Sequence, residues 1–178
     1  EKMGNNDGVV NTNNGTVNTN AGRVNINSKT VEYNTYTGTV ETNNGTVNTN
    51  NGTVDTNNGT VDINRVTVNT NHGTVYKNFG TVNTNTGTVH NYGGTVNDNV
   101  GTVVEYYKLT VTEGMKDKIV ISGTYDDGFD VIKGVIWIRG TDGSATLAPK
   151  EGYYFTETPT ISNGSVAANN DGTYKITG

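Results

Sequence analysis

Gly45-Thr46-Val47-Asn48-Thr49-Asn50-Asn51 is followed directly by Gly52-Thr53-Val54-Asp55-Thr56-Asn57-Asn58, and the fold turns on what this seven-residue unit can do. Val recurs every seven residues from Val10 to Val31 and, after one step of nine, from Val40 to Val103, giving fourteen units. Gly stands two residues before each Val, except at Lys29 and Val66. A helical heptad needs two apolar positions and good helix formers. This unit has one apolar position among Thr, Asn and Gly, all poor in helix interiors. Thr-Val-Asn-Thr-Asn alternates as a strand instead, which puts Val and the second Thr on one face. The Gly at each corner is expected to supply a positive φ.

One such strand cannot bury its Val alone, so successive units must stack. An antiparallel meander of two-residue hairpins with an odd period would send consecutive Val side chains to opposite faces, whereas a solenoid resets the face at every corner. The reading is therefore all-β: a parallel β-solenoid over residues 1–103, followed by a small antiparallel, sandwich-like β module over 104–178. We expect three sides and about 21 residues per coil, in preference to two sides and 14 residues. The two extra residues near Tyr36 and Thr37 should bulge from one corner.

After Val103 the period vanishes. Apolar-alternating runs at 106–112, 118–125, 129–139, 144–147, 153–156, 160–162, 165–167 and 173–177 are separated by Asp-Gly and Asn-Gly turns. Val135, Ile136, Trp137 and Ile138 are the expected core there. This module is a candidate cap for an otherwise open strand edge, and residues 1–8 offer no comparable cap.

Composition narrows the function. The chain has 178 residues, of which 29 are Asn, 32 Thr and 24 Gly, an unusual basis for an enzyme core. Its net charge of −5 argues against a nucleic-acid partner. No apolar run approaches a membrane span, so no membrane insertion is expected. The absence of Cys excludes disulfides and thiolate metal sites.

The iterated Gly-Thr-Val, as at 45–47 and 52–54, resembles the Gly-Asp-Val/Ile repeats of bacterial adhesin-type β-solenoids, with Thr in place of Asp. The stretch Ala145-Thr146-Leu147-Ala148-Pro149-Lys150-Glu151-Gly152-Tyr153-Tyr154-Phe155, with the later Asp171-Gly172-Thr173-Tyr174-Lys175-Ile176-Thr177, is similar to small β modules of Gram-positive surface proteins. These resemblances imply an extracellular, cell-surface protein, and they bring no catalytic motif.

Four carboxylates stand just after Val on the outward face. In a three-sided coil Glu32 would stack with Asp55 and Glu41 with Asp62, about 5 Å apart. That spacing suits a shared Ca²⁺, the only candidate ion, or a retaining glycosidase pair. Tyr36, Tyr76, Phe79 and Tyr92 depart from the consensus and are the candidate ligand contacts, while Tyr33 falls at an inward position. Outward Thr-x-Asn rows, such as Thr46/Asn48, Thr53/Asp55 and Thr81/Asn83, resemble the surfaces of ice-binding solenoids. Asp126, Asp127 and Asp130 read as a strand-connecting turn. His72 and His90 each stand alone. The functional expectation is a non-enzymatic extracellular stalk, adhesin-like, with a glycan or a host or cell-surface protein as partner. The alternatives are a carbohydrate-active β-helix and an ice-binding solenoid.

Overall fold

The structure is a computed structural model describing residues 1–111, 113–125, 135–161 and 164–178. The chain divides into two compact units, Glu1–Val104 and Glu105–Gly178.

The first unit is a parallel β-solenoid with two sides. One sheet holds β1 (Lys2–Asn6), β3 (Thr16–Asn20), β5 (Thr30–Asn34), β7 (Thr46–Asn50), β9 (Thr60–Asn64), β11 (Thr74–Asn78) and β13 (Thr88–Asn91), closed by the first residues of β15 (Thr102–Thr110). The other holds β2 (Val9–Asn13), β4 (Arg23–Asn27), β6 (Thr39–Asn43), β8 (Thr53–Asn57), β10 (Thr67–Asn71), β12 (Thr81–Asn85) and β14 (Thr95–Asn99). Each strand therefore stacks on the strand two units away, as in Val54↔Val68↔Val82 and Val47↔Val61. The expected three-sided coil is corrected to a two-sided one. These paired strands lie 14 residues apart, which is two units, and the Val stack together with the buried corner Asn fills the space between the two sheets. The core is that Val stack, with Val24 to Val89 all fully buried. Val54→Ala is expected to cost about 2–3 kcal/mol, read by chemical denaturation, from lost transfer energy plus a cavity.

The second inward residue is not the second Thr. Paired strands match at their first, second, fourth and fifth residues, as in Thr67↔Thr81, Val68↔Val82, Thr70↔Thr84 and Asn71↔Asn85. Burial falls on the second and fifth, Val and Asn. Simple alternation is broken at the third residue, and the strand end turns its Asn into the corner. Tyr33, expected inward on that alternation, is 42% exposed.

The corner Asn residues form two continuous ladders. On one side Asn13 donates Nδ2–H to Asn27 Oδ1, and the chain runs on through Asn43, Asn57, Asn71, Asn85 and Asn99 at 2.7–2.8 Å. On the other, Asn6 donates to Asn20, then through Asn34, Asn50, Asn64, Asn78 and Asn91 at 2.7–3.0 Å. The amide also reaches backbone carbonyls: Asn57 Nδ2 bonds Gly59 O and Thr74 O, each at 3.2 Å. These bonds satisfy groups that would otherwise be buried at high cost.

The repeat glycines have a different role from the one expected. Among the described glycines, positive φ occurs at Gly93, Gly123, Gly152 and Gly172, outside the repeat's regular corners. At Gly59 an added Cβ would fall inside the van der Waals envelope of the Gly45 carbonyl oxygen one coil away. Glycine is there because corner backbones stack in direct contact. Lys29 and Val66 occupy two of these corners and the backbone bond beside them is kept, Thr30 N to Gly15 O at 3.1 Å and Thr67 N to Gly52 O at 3.2 Å, as beside Gly52, where Thr53 N to Gly38 O is 3.1 Å.

Two irregularities are absorbed at corners. Tyr36 and Thr37 bulge outward, with Gly38 N bonded to Thr35 O and Tyr36 83% exposed, while Val31↔Val47 stays in register. In β13 the strand is one residue short, so Asn91 slips into the ladder and Gly93 takes φ 83° to recover the path. At the start, residues 1–8 are not outside the repeat. Met3 pairs with Val17, and β1 forms the first rung.

The second unit is antiparallel. Residues 106–110 of β15 pair with β17 (Val135–Arg139). A four-stranded sheet runs β16 (Ile119–Thr124), β18 (Ser144–Pro149), β20 (Tyr174–Thr177), β19 (Ser165–Ala168). A single helical turn, α1 (Glu113–Lys116), precedes β16. Leu109, Ile136 and Ile138 share a core with Ile119, Leu147 and Ile176, and all four residues from Val135 to Ile138 are buried. The runs at 153–156 and 160–161 are irregular chain rather than strand. Asp126, Asp127 and Asp130, and the first part of the 129–139 run, lie outside the described residues.

Candidate functional site

Because alternate units belong to opposite sheets, the solenoid sorts its outward residues onto two faces. The odd-numbered strands present Glu32, Asn48, Asp62, Tyr76 and His90 in one column, with Tyr33, Thr49, Ile63 and Lys77 beside it. The even-numbered strands present Glu41, Asp55, Asn69, Asn83 and Asn97, flanked by Thr42, Thr56, Thr70 and Thr84. One face varies coil by coil, and the other is nearly uniform.

The uniform face is knitted together. Asn97 donates to Asn83 at 3.0 Å, Asn83 to Asn69 at 2.9 Å and Asn69 to the Asp55 carboxylate at 2.8 Å. This outer ladder runs opposite in sense to the buried one and ends on a charge, which strengthens its last bond. Glu41 pairs with Arg23, whose Nε also bonds Asn25 Oδ1 at 3.1 Å.

The stacked carboxylate pairs expected from a three-sided coil are not formed. Glu32 and Asp62 lie on one face, Glu41 and Asp55 on the other, so Glu32 does not meet Asp55 and Glu41 does not meet Asp62. Glu32 Oε2 accepts from Asn48 Nδ2 at 2.8 Å. Among the described residues no group of three or more His, Asp or Glu is placed to hold a metal ion. A melting temperature unchanged by EDTA is the expected result, and a fall of several degrees would contradict this geometry.

Burial holds the Asp62 carboxyl above the ordinary carboxylate range, and the Lys77 ammonium offsets part of that. The folded chain therefore keeps this proton to higher pH than the unfolded chain. The group destabilises the fold above its folded pKa, and the cost fades as pH falls towards the unfolded value. Asp62→Asn should raise the melting temperature slightly at pH 7, with the difference vanishing near pH 3.

The four candidate aromatics separate. Phe79 and Tyr92 meet at the corner, centroids 5.7 Å apart, with the Arg65 guanidinium 5.7 Å from the Phe79 ring. Tyr92 is buried, correcting its expected exposure, and Phe79 is half-buried, so both serve mainly as corner packing. Tyr36 stands alone on its bulge. Tyr76 is 50% exposed on the variable face, its ring 6.0 Å from that of His90. His72 Nδ1 lies 2.6 Å from Thr86 Oγ1.

One site escaped the sequence reading. Within the second unit a cavity of about 600 Å³ is floored by Leu109, Val111, Ile119, Leu147 and Phe155. Tyr153 and Tyr154 line it, and the Lys118 ammonium lies 5.9 Å from the Tyr153 ring centre. The Tyr153-Tyr154-Phe155 run was its sequence signal, read there as a strand.

No known protein family, curated protein or solved structure matches the chain. Among the described residues no helix is long and apolar enough to cross a membrane.

Proposed function

We propose that the chain is a non-enzymatic extracellular surface protein whose solenoid acts as a stiff, adhesin-like spacer. The observation that carries this reading is the in-register stack of Val from β2 to β14, flanked by two Asn ladders. Every coil is bonded to the next through backbone, side chain and core at once, so bending or shear must break all three together. The seven coils of this unit extend about 34 Å along their axis at about 4.8 Å per coil. A solenoid of this kind separates what it carries from what it is attached to. Glu41 and Asp55 stand one coil apart on the even-numbered face, and each is already engaged within that face, Glu41 by Arg23 and Asp55 by the Asn69 amide, which supports a structural rather than a glycosidase role for the pair. Protease added to intact source cells should cut the chain, and polysaccharide incubated with the protein should release no reducing ends. Protection of the chain until lysis, or release of reducing sugar, would contradict the proposal.

A second reading has one specific observation in its favour. The Thr and Asn rows are concentrated on the even-numbered strands as a repeating two-dimensional array, rather than spread equally over every side. That is the arrangement an ice-binding surface needs. Thermal hysteresis at micromolar protein would support it, and freezing and melting points that coincide would reject it.

A further inference from the structure

The variable face carries departures from the repeat that line up. Glu32, Asn48, Asp62, Tyr76 and His90 occupy the same outward position in consecutive coils of the odd-numbered strands. A face that had only to stay soluble would need no aromatic ring there, and the opposite face, built from the same repeat, holds none in the equivalent column. Tyr76 is half exposed, yet it rests against the His90 ring, so its free surface is held in place. One coil away, at the opposing register position, lies Asp62, and two coils beyond that lies Glu32 with one carboxylate oxygen bonded to Asn48.

A ring platform with carboxylate and amide acceptors beside it is the chemistry that recognises a sugar. The ring takes the apolar C–H face of a pyranose, and the carboxylate accepts from its hydroxyl groups. The column advances by about 4.8 Å per coil, close to the length one sugar adds to an extended chain. Successive sugars can thus meet successive coils. Charge selects among glycans: two carboxylates in the column repel a polyanion, and the whole chain is at −5. We infer that the column from Glu32 to His90 is a contact surface for a linear, uncharged polysaccharide laid along the coil axis. A spacer needs no such surface, so this inference goes beyond the spacer reading.

The test is calorimetric titration of the full chain with cellohexaose, chitohexaose and hexagalacturonate. At least one of the two neutral hexasaccharides should bind, and the acidic one should not. Tyr76→Ala should weaken that binding about tenfold. Asp62→Asn should weaken it severalfold. Tyr36→Ala on the corner bulge and Thr84→Ala on the opposite face should leave it unchanged. No heat with either neutral hexasaccharide, undiminished affinity in Tyr76→Ala, or preference for the acidic oligomer would overturn the inference. The spacer reading would survive each of those results, because it is tested by surface exposure and by the absence of sugar release.

Discussion

Replacing Asn57 by alanine is expected to destabilise the solenoid by about 3–5 kcal/mol, more than the loss of a single core Val. Asn57 accepts from Asn43 and donates to Asn71, each at 2.7 Å, and its amide also reaches two backbone carbonyls. Alanine removes that set and leaves the Asn71 Oδ1 without its Asn57 donor in a place water does not reach. The cost comes from partners left unpaired, and those partners belong to other coils. Chemical denaturation read by far-ultraviolet dichroism would measure it, and a loss below about 1 kcal/mol would mean that the ladder contributes little. Asn57→Asp sharpens the test. A buried carboxylate has its pKa raised, so the variant should gain stability as pH falls through the carboxyl range, and the alanine variant should not.

Gly59→Ala is the second large effect, with an expected loss of up to about 3 kcal/mol, since a Cβ there would meet the Gly45 carbonyl oxygen and the stack would have to shift to accept it, as it accommodates Lys29 and Val66 elsewhere. Backbone on both sides fixes that contact, so relief requires the coils to move apart, and this lengthens bonds such as Thr60 N to Gly45 O. Gly8 is the matched control: it holds the equivalent place in the first coil, where an added Cβ meets nothing within 4 Å. Gly8→Ala should change stability by less than about 0.5 kcal/mol. If both substitutions were equally costly, backbone conformation rather than coil stacking would explain the glycines.

Much of the fold was legible because the repeat leaves few ways to bury its Val. A single apolar position per seven residues excluded a coiled coil, and the odd period disfavoured hairpins. Both arguments rest on side-chain direction alone, and the parallel solenoid and the corner bulge at Tyr36 follow from them. The number of sides was not legible from direction. It depends on what fills the corner, and period-two alternation assigned the second Thr to the interior. The sequence did hold a hint. The fifth strand position is Asn in almost every unit, while the fourth varies through Ile26, Tyr33, Ile63 and Lys77. A position that stays polar and does not vary is one whose hydrogen bonds are fixed.

The candidate site followed the same pattern. Tyr76 and Asp62 were both singled out, but a count of three units stacked Asp62 on Glu41, whereas unit parity places it beside Tyr76. Arg65 and Phe79, 14 residues apart and stacked at one corner, carried that parity signal. The cavity of the second unit is lined largely by the irregular segment 152–160 over Leu109, Ile119 and Leu147, and local alternation gives no rule for such a segment.

The chain has no cysteine, which makes engineered pairs clean reporters of which coils adjoin. Under oxidising conditions, Asn69→Cys with Asn83→Cys places two thiols in the same column one coil apart, within the span a disulfide bridges. Asp62→Cys with Asn83→Cys places them on opposite faces, although a three-sided coil would stack those two positions. A two-sided solenoid predicts rapid, near-complete intramolecular bridging of the first pair and none of the second, read as an intact-mass loss of two hydrogens. Bridging of the second pair in place of the first would contradict it.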